Sequence, residues 1–340
     1  MKKVLLSALI LAGFALNGQV LVSEDFSTLT PGNLGTDVTG ATAGQNSWFT
    51  LDGTNADYQV ATIDAGHGQS LTITGYNSYD STPNSTLNAR LAARLTTVTA
   101  TVGNDIIEAK FDFYTGASAG MGAAQLRIIG TNGAASTTIG GFSYDFSTKE
   151  LKGLGTANRI SPAGPVLYSF GLAAAPGIVL TPNTWYTLRF RYNKTTGLLT
   201  WVHPGGTSNA STTSTTYSLI PGMVAKNLYL YNIASAGNTV SNVVGFDNFH
   251  VEFTNTAALS TTEVLTKNAE LSLYPNPVSD ILNIQTKEKV QSASIFDMTG
   301  RKMEARVLDN KVDVTNLERG TYIINIQTEK GTSSEKFIKK

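Results

Sequence analysis

A chain of 340 residues is long enough for two domains and a sizeable core. At 41% hydrophobic and 15% charged it is neither a disordered tail nor a coiled coil, and with Lys+Arg and Asp+Glu both at 25 its net charge favours neither nucleic acid nor an anionic membrane as partner. The complete lack of cysteine excludes a disulfide framework, a zinc–thiolate site, an iron–sulfur cluster and a thiol nucleophile.

At the N-terminus, Lys2 and Lys3 precede an uninterrupted small and apolar run from Val4 to Leu16. That run is too short to span a bilayer as a helix and suits the core of a secretory signal peptide. Residues 1–18 are therefore expected to be removed, with Gln19 as the new N-terminus. No later stretch approaches 18 apolar residues, so no membrane span is expected in the mature chain.

From residue 19 to 253 the apolar pattern has period two. In WYTLRFRY, Tyr186, Leu188, Phe190 and Tyr192 share one face and Thr187, Arg189 and Arg191 the other. In IIEAKFDFY, Ile107, Ala109, Phe111 and Phe113 oppose Glu108, Lys110, Asp112 and Tyr114. SLTIT, AAQLRII, GGFSYDF, GLLTWVH, KNLYLYNI and FDNFHVEF read as further strands, separated by Gly, Asn, Pro, Ser and Thr. This stretch holds 27 of the 32 glycines and shows no capped amphipathic helix, which predicts a large all-β antiparallel jelly-roll sandwich. Residues 254–270 are polar and Thr-rich, as a linker would be.

Catalytic constellations find little support. Gly116-Ala117-Ser118-Ala119-Gly120 matches the nucleophile elbow of hydrolases, but that motif needs a following helix and MGAAQLRIIG reads as a strand. Glu108 and Asp112, four apart on a strand, would lie about 13 Å from each other, beyond the roughly 5–9.5 Å of a glycosidase pair. His67, His203 and His250 form no metal motif. Trp48, Tyr58, Tyr76 and Tyr79, in or near Asn/Ser/Thr-rich loops, are the candidates for stacking on sugar rings, whereas Trp185 and Trp201 are assigned to the core.

The succession TWYTLRFRYNKTTGLLTWVHPGG resembles the strand, turn and strand of laminin-G-like, concanavalin-like lectin sandwiches. VSEDF and GFDNFHVEF are similar to the first and last strands of that superfamily and of carbohydrate-binding jelly rolls, which lie side by side. Such a pairing would bring Glu24 and Asp25 to Asp247, a set of hard oxygen ligands suited to a structural calcium ion.

In residues 271–340, LSLYPNPVSDILNIQ, SASIFDMTGRKM and VDVTNLERGTYIINIQTEKGTSSEKFIKK resemble the type A C-terminal sorting domain of the type IX secretion system, a small Ig-like sandwich. The resemblance rests on Tyr274, Pro275, Asn276 and Pro277, on Asp297, Gly300 and Arg301, on Gly320 and Tyr322, and on the terminal Lys339 and Lys340. It implies passage through the periplasm of a Gram-negative bacterium. Recognition by the outer-membrane translocon and a processing protease would follow, with residence outside the cell or on its surface. For the large domain the reading is a carbohydrate-binding or adhesion module without catalysis. The alternatives are a polysaccharide lyase or glycoside hydrolase on the same fold, or a structural surface protein.

Overall fold

The computed structural model describes residues 18–255 apart from 84, 96 and 97, and residues 272–340 apart from 287, 288, 298–301, 304, 305, 309 and 329–330. The expected signal peptide up to residue 17, the linker from residue 256, and Gly300 and Arg301 of the sorting motif lie outside the described residues. The chain divides into two compact units with the boundary between Thr261 and Thr262.

The larger unit is an antiparallel jelly-roll sandwich of two nine-stranded sheets. In the first sheet the spatial order is Gly206–Asn209, Leu199–His203, Trp185–Asn193, Ile106–Tyr114, Val243–Thr254, Gln69–Thr74, Tyr58–Thr62 and Gly32–Asn33. The long strand Val243–Thr254 serves two neighbours on one side: Val243–Phe246 pairs with Gln69–Thr74, and Phe249–Phe253 pairs with the first strand, Gln19–Glu24. The expected adjacency of first and last strands is therefore present. In the second sheet the order is Gly164–Gly171, Glu150–Arg159, Ala135–Asp145, Gly122–Asn132, Val224–Ala234, Ala89–Leu95 and Trp48–Leu51, with two short strands attached to Glu150–Arg159.

Period-two alternation decides which side chains meet between the sheets. Phe111, Phe113, Leu188, Phe190, Tyr192, Phe246 and Phe249 of the first sheet, and Leu126, Ile128, Phe142, Tyr144, Leu228 and Leu230 of the second, belong to one buried cluster. Phe111 contacts Phe142 across the layers with ring centroids 6.0 Å apart. The indole of Trp201 lies against the backbone of the opposing sheet and donates from Nε1 to the Gly141 carbonyl at 2.7 Å.

The smaller unit is a separate sandwich of two four-stranded sheets. One contains Ser272–Tyr274, Ile281–Gln285, Lys311–Asp313 and Arg306–Leu308; the other contains Lys302–Met303, Val290–Asp297, Gly320–Thr328 and Gly331–Lys339. Its core holds Val278, Leu282, Ile284, Ile295, Val312, Ile324, Ile326 and Phe337. Among the described residues no helix is long and apolar enough to cross a membrane.

Candidate binding face

The loop aromatics expected to stack on sugars separate into two groups. Trp48 is fully buried, packed on Phe26 and Phe249 at 5.8 Å each, because it heads the strand Trp48–Leu51 with its inward parity. Tyr58 is also fully buried; its hydroxyl donates to the Leu51 and Asp52 carbonyls and accepts from the Leu91 amide, and burial raises its pKa well above the usual phenol value. Both serve the core. Tyr76 is half-buried beneath the Arg90 guanidinium at 5.7 Å, and Tyr79 is exposed. Trp185 departs from the core assignment: it has the parity of Thr187, so it stands on the outer face, next to Tyr114 and stacked on His67 at 4.0 Å. Trp201 is in the core as expected.

The three carboxylates assigned to calcium are engaged separately. Glu24 is buried and accepts from the Phe26 amide at 2.9 Å, Asn46 Nδ2 at 2.6 Å and Trp48 Nε1 at 3.3 Å, with Arg94 at 3.6 Å. Asp25 caps its own turn through Ser27. Asp247 accepts from Ser70 Oγ at 3.2 Å and from the Asn248 amide at 2.7 Å. Among the described residues no group of three or more His, Asp or Glu side chains is disposed to hold a metal ion. Strand adjacency alone does not converge carboxylates, since Glu24 turns toward Trp48 and Arg94 while Asp247 turns toward Ser70.

The hydrolase elbow also resolves into packing. Ser118 is buried, donates to the Thr115 carbonyl at 2.7 Å and accepts from Tyr144, with no histidine among its hydrogen-bond partners. On the outer face of the first sheet, Glu108 is ion-paired with Arg189 and Arg191, and Asp112 accepts from Thr187 and Asn248. His67 lies between Asp64 at 3.2 Å and Asp112 at 3.7 Å. These groups satisfy one another, while the buried Nε1 of Trp185 beside His67 has no hydrogen-bond partner among the described residues.

The outer face of the second sheet is organised differently. One cross-strand row runs Lys152, Ser143, Gln125, Tyr231, Leu91 and Leu51. The next runs Leu154, Gly141, Arg127, Tyr229, Ala93 and Phe49. Six strands at the usual spacing give the rows a span of roughly 24 Å. The first row is polar up to Gln125 and apolar beyond Tyr231, and in the second Arg127 and Tyr229 stand between small and apolar residues.

Within these rows Gln125 is the hub. Its Oε1 accepts from Arg127 Nε at 2.7 Å and from Arg127 Nη2, while its Nε2 donates to Ser143 Oγ at 3.1 Å. The Arg127 guanidinium lies 4.7 Å from the ring centroid of Tyr231, and the Tyr229 and Tyr231 rings meet edge to face at 6.1 Å. Burial raises the pKa of Tyr231, so its phenol stays protonated and able to donate a hydrogen bond. A half-buried, pre-organised set of aromatic, amide, hydroxyl and guanidinium groups is what sugar rings and their hydroxyls require. The alternations in AAQLRII and NLYLYNI place these four side chains on common strand faces. The sequence does not say that those faces are adjacent, nor that they point outward.

In the smaller unit Asn276 joins the first motif to the last strand. Its Nδ2 donates to the Lys336 carbonyl at 3.2 Å and its Oδ1 accepts from the Ile338 amide at 2.9 Å. Backbone bonds from Val278 to Ile338 at 2.8 Å and from Lys340 to Val278 at 2.9 Å continue the seam. Tyr322 is buried, stacked on Phe337 at 5.6 Å, and donates to the Glu318 carbonyl at 2.9 Å. Gly320 opens the strand that pairs with Gly331–Lys339, where it faces Lys339, and Asp297 pairs with Tyr322. Tyr274 is exposed, and Lys340 is exposed at the chain end.

Residues 272–340 match the family model of the secretion system C-terminal sorting domain. Beta-agarase D of Zobellia galactanivorans is 34% identical over 70 residues, 20% of this chain and 14% of that protein, so the chain spans about a seventh of the curated relative. Among solved structures, the alginate lyase vAL-1 from Chlorella virus matches 66% of this chain and 99% of its own at 13% identity and a TM-score of 0.43. A Trypanosoma rangeli sialidase in complex with sialic acid matches 69% of this chain and 32% of its own at 12% identity and a TM-score of 0.37. With the family match and the two-sheet core in agreement, residues 272–340 are a secretion system C-terminal sorting domain, carried behind a jelly-roll sandwich.

Proposed function

We propose that the protein is exported by the type IX secretion system through residues 272–340 and that its larger unit is a non-catalytic polysaccharide-binding module. The translocon and a processing protease are the partners of the sorting domain in this reading, and the destination is the cell surface or the medium. The observation that carries the binding role is the pair of tyrosines, Tyr229 and Tyr231, on the outer face of the second sheet, backed by the Arg127–Gln125–Ser143 chain. Aromatic surface flanked by fixed hydrogen-bonding groups suits a sugar chain laid across the strands.

The test is retardation of the purified protein in gels containing individual polysaccharides. Tyr229→Ala and Tyr231→Ala are each expected to weaken retention about tenfold, the loss of one well-placed aromatic contact being worth on the order of 1–2 kcal/mol. Release of sugar products during incubation would overturn the non-catalytic assignment, and unchanged retention in both variants would overturn the site.

A further inference from the structure

We infer that the sugar chain this face takes is acidic, with its carboxylate or sulfate group set on Arg127; this deepens the polysaccharide-binding reading and rests on it. The larger unit has six arginines, and their partners distinguish them. Arg90 is paired with Asp57 at 2.7 Å, Arg94 with Glu24 at 3.6 Å, and Arg189 and Arg191 with Glu108. Arg159 bonds to the Pro162 carbonyl at an exposed hairpin. Arg127 alone stands half-buried on a sheet face with no carboxylate in ion-pair contact among the described residues.

Burial acts against its charge, and the compensation within the chain is a neutral amide oxygen and the face of a tyrosine ring. A guanidinium has five N–H donors in a planar fork. Nε and Nη2 reach Gln125, which leaves Nη1 directed to no protein acceptor among the described residues. An oxyanion on the ligand would complete both the charge and the fork.

The neighbouring charges are consistent with an anion at this position. Lys152, in the adjoining row, is tied to Glu150 at 3.1 Å, and Asp145 is occupied by Ser147 and Thr148 in its own turn. Asp52, half-buried after the edge strand Trp48–Leu51, lies three strands from the one that holds Arg127 and has its electrostatic contacts with Arg90 and Tyr231. Arg127 and Tyr229 are flanked in their row by Gly141 beside Arg127 and Ala93 beside Tyr229, small residues that add no bulk there.

The experiment compares the full-length protein and its Arg127→Met and Arg127→Lys variants, each checked for an unchanged melting temperature, against four polymers. These are a polyuronate, the same polymer with its carboxyl groups reduced to alcohols, a sulfated galactan, and its desulfated form. Retention of the polyuronate or of the sulfated galactan, weakened at least tenfold by removing the acid groups and at least tenfold by Arg127→Met, supports the inference, and the arm that responds identifies the acid. Arg127→Lys is expected to restore part of the loss, since it keeps charge without the fork. Equal retention of acidic and neutral forms, or an unaffected Arg127→Met, overturns it while the polysaccharide-binding reading stands. Absence of retention on all four, together with a panel of neutral glucans and mannans, overturns both.

Discussion

Asp247 lies on an interior strand of the first sheet, opposite Asp112, 1% exposed, with two hydrogen bonds and no cationic partner in direct contact. Burial pushes its carboxyl up to about 6 from 3.8, with His67 and Asp112 as the facing titratable groups acting in opposite directions. A native pKa above the unfolded one means that the folded state holds the proton between the two values, so stability falls as pH rises from about 4 to 6 and stays reduced above. The shift corresponds to at most about 3 kcal/mol. Asp247→Asn keeps an acceptor for Ser70 and removes the titration. In urea unfolding, this variant is expected to be more stable than the wild type at pH 8, and the advantage should shrink by pH 4. Glu24 is the opposite case, a buried carboxylate that accepts from Phe26, Asn46 and Trp48 and faces Arg94. Removing it in Glu24→Ala leaves the Phe26 amide and Trp48 Nε1 without their acceptor and Arg94 without its ion-pair partner, and the expected cost is about 3–5 kcal/mol by the same measurement.

At the scale of elements, the glycines of Ala135–Asp145 and Glu150–Arg159 let large rings of the first sheet lie directly on the backbone of the second. A Cβ at Gly153 would come within 2.5 Å of the Trp201 indole, and one at Gly140 within 2.4 Å of Phe190. Gly153→Ala is therefore expected to displace Trp201, weaken its bond to the Gly141 carbonyl and lower stability by about 1–3 kcal/mol, read as a lower urea midpoint with a blue- or red-shifted tryptophan emission. In the sorting domain the corresponding element is the seam at Asn276. Asn276→Ala removes both side-chain bonds to the last strand. Faster amide exchange across residues 335–339 is expected, along with a loss of about 1–3 kcal/mol in that unit. Asn283→Ala, which removes one side-chain bond to the Tyr274 carbonyl, should have the smaller effect. The proline-containing motif thus has a mechanical task, since it fastens the start of the domain to its end.

For the whole molecule, the two separate cores imply that destination and binding are separable. A chain ending before residue 272 is expected to fold its larger unit and bind polysaccharide as the full chain does, yet to accumulate in the periplasm of its host; the fraction recovered from culture medium checks this. Efficient export of the shortened chain would end the sorting proposal.

Alternation along single strands was enough to assign Phe111, Leu188 and Phe190 to the core and Glu108, Lys110 and Arg191 to the outside, because side-chain direction in a strand is a local consequence of backbone pleating. The same parity was available for Trp185, which shares it with Thr187, but not for Trp48, whose face is shared with Thr50 while Phe49 and Leu51 point the other way. Local order likewise identified the sorting domain, whose motif residues lie in short turns and strand ends. What the chain's linear order did not contain was which strands become neighbours. Gln125 and Tyr231 are separated by more than a hundred positions, and His67 meets Trp185 across a similar interval. Pairing between distant strands is settled by burial of both sheet faces at once, so the tyrosine and arginine face, and the dispersal of the three expected calcium ligands, were decided only in the tertiary structure.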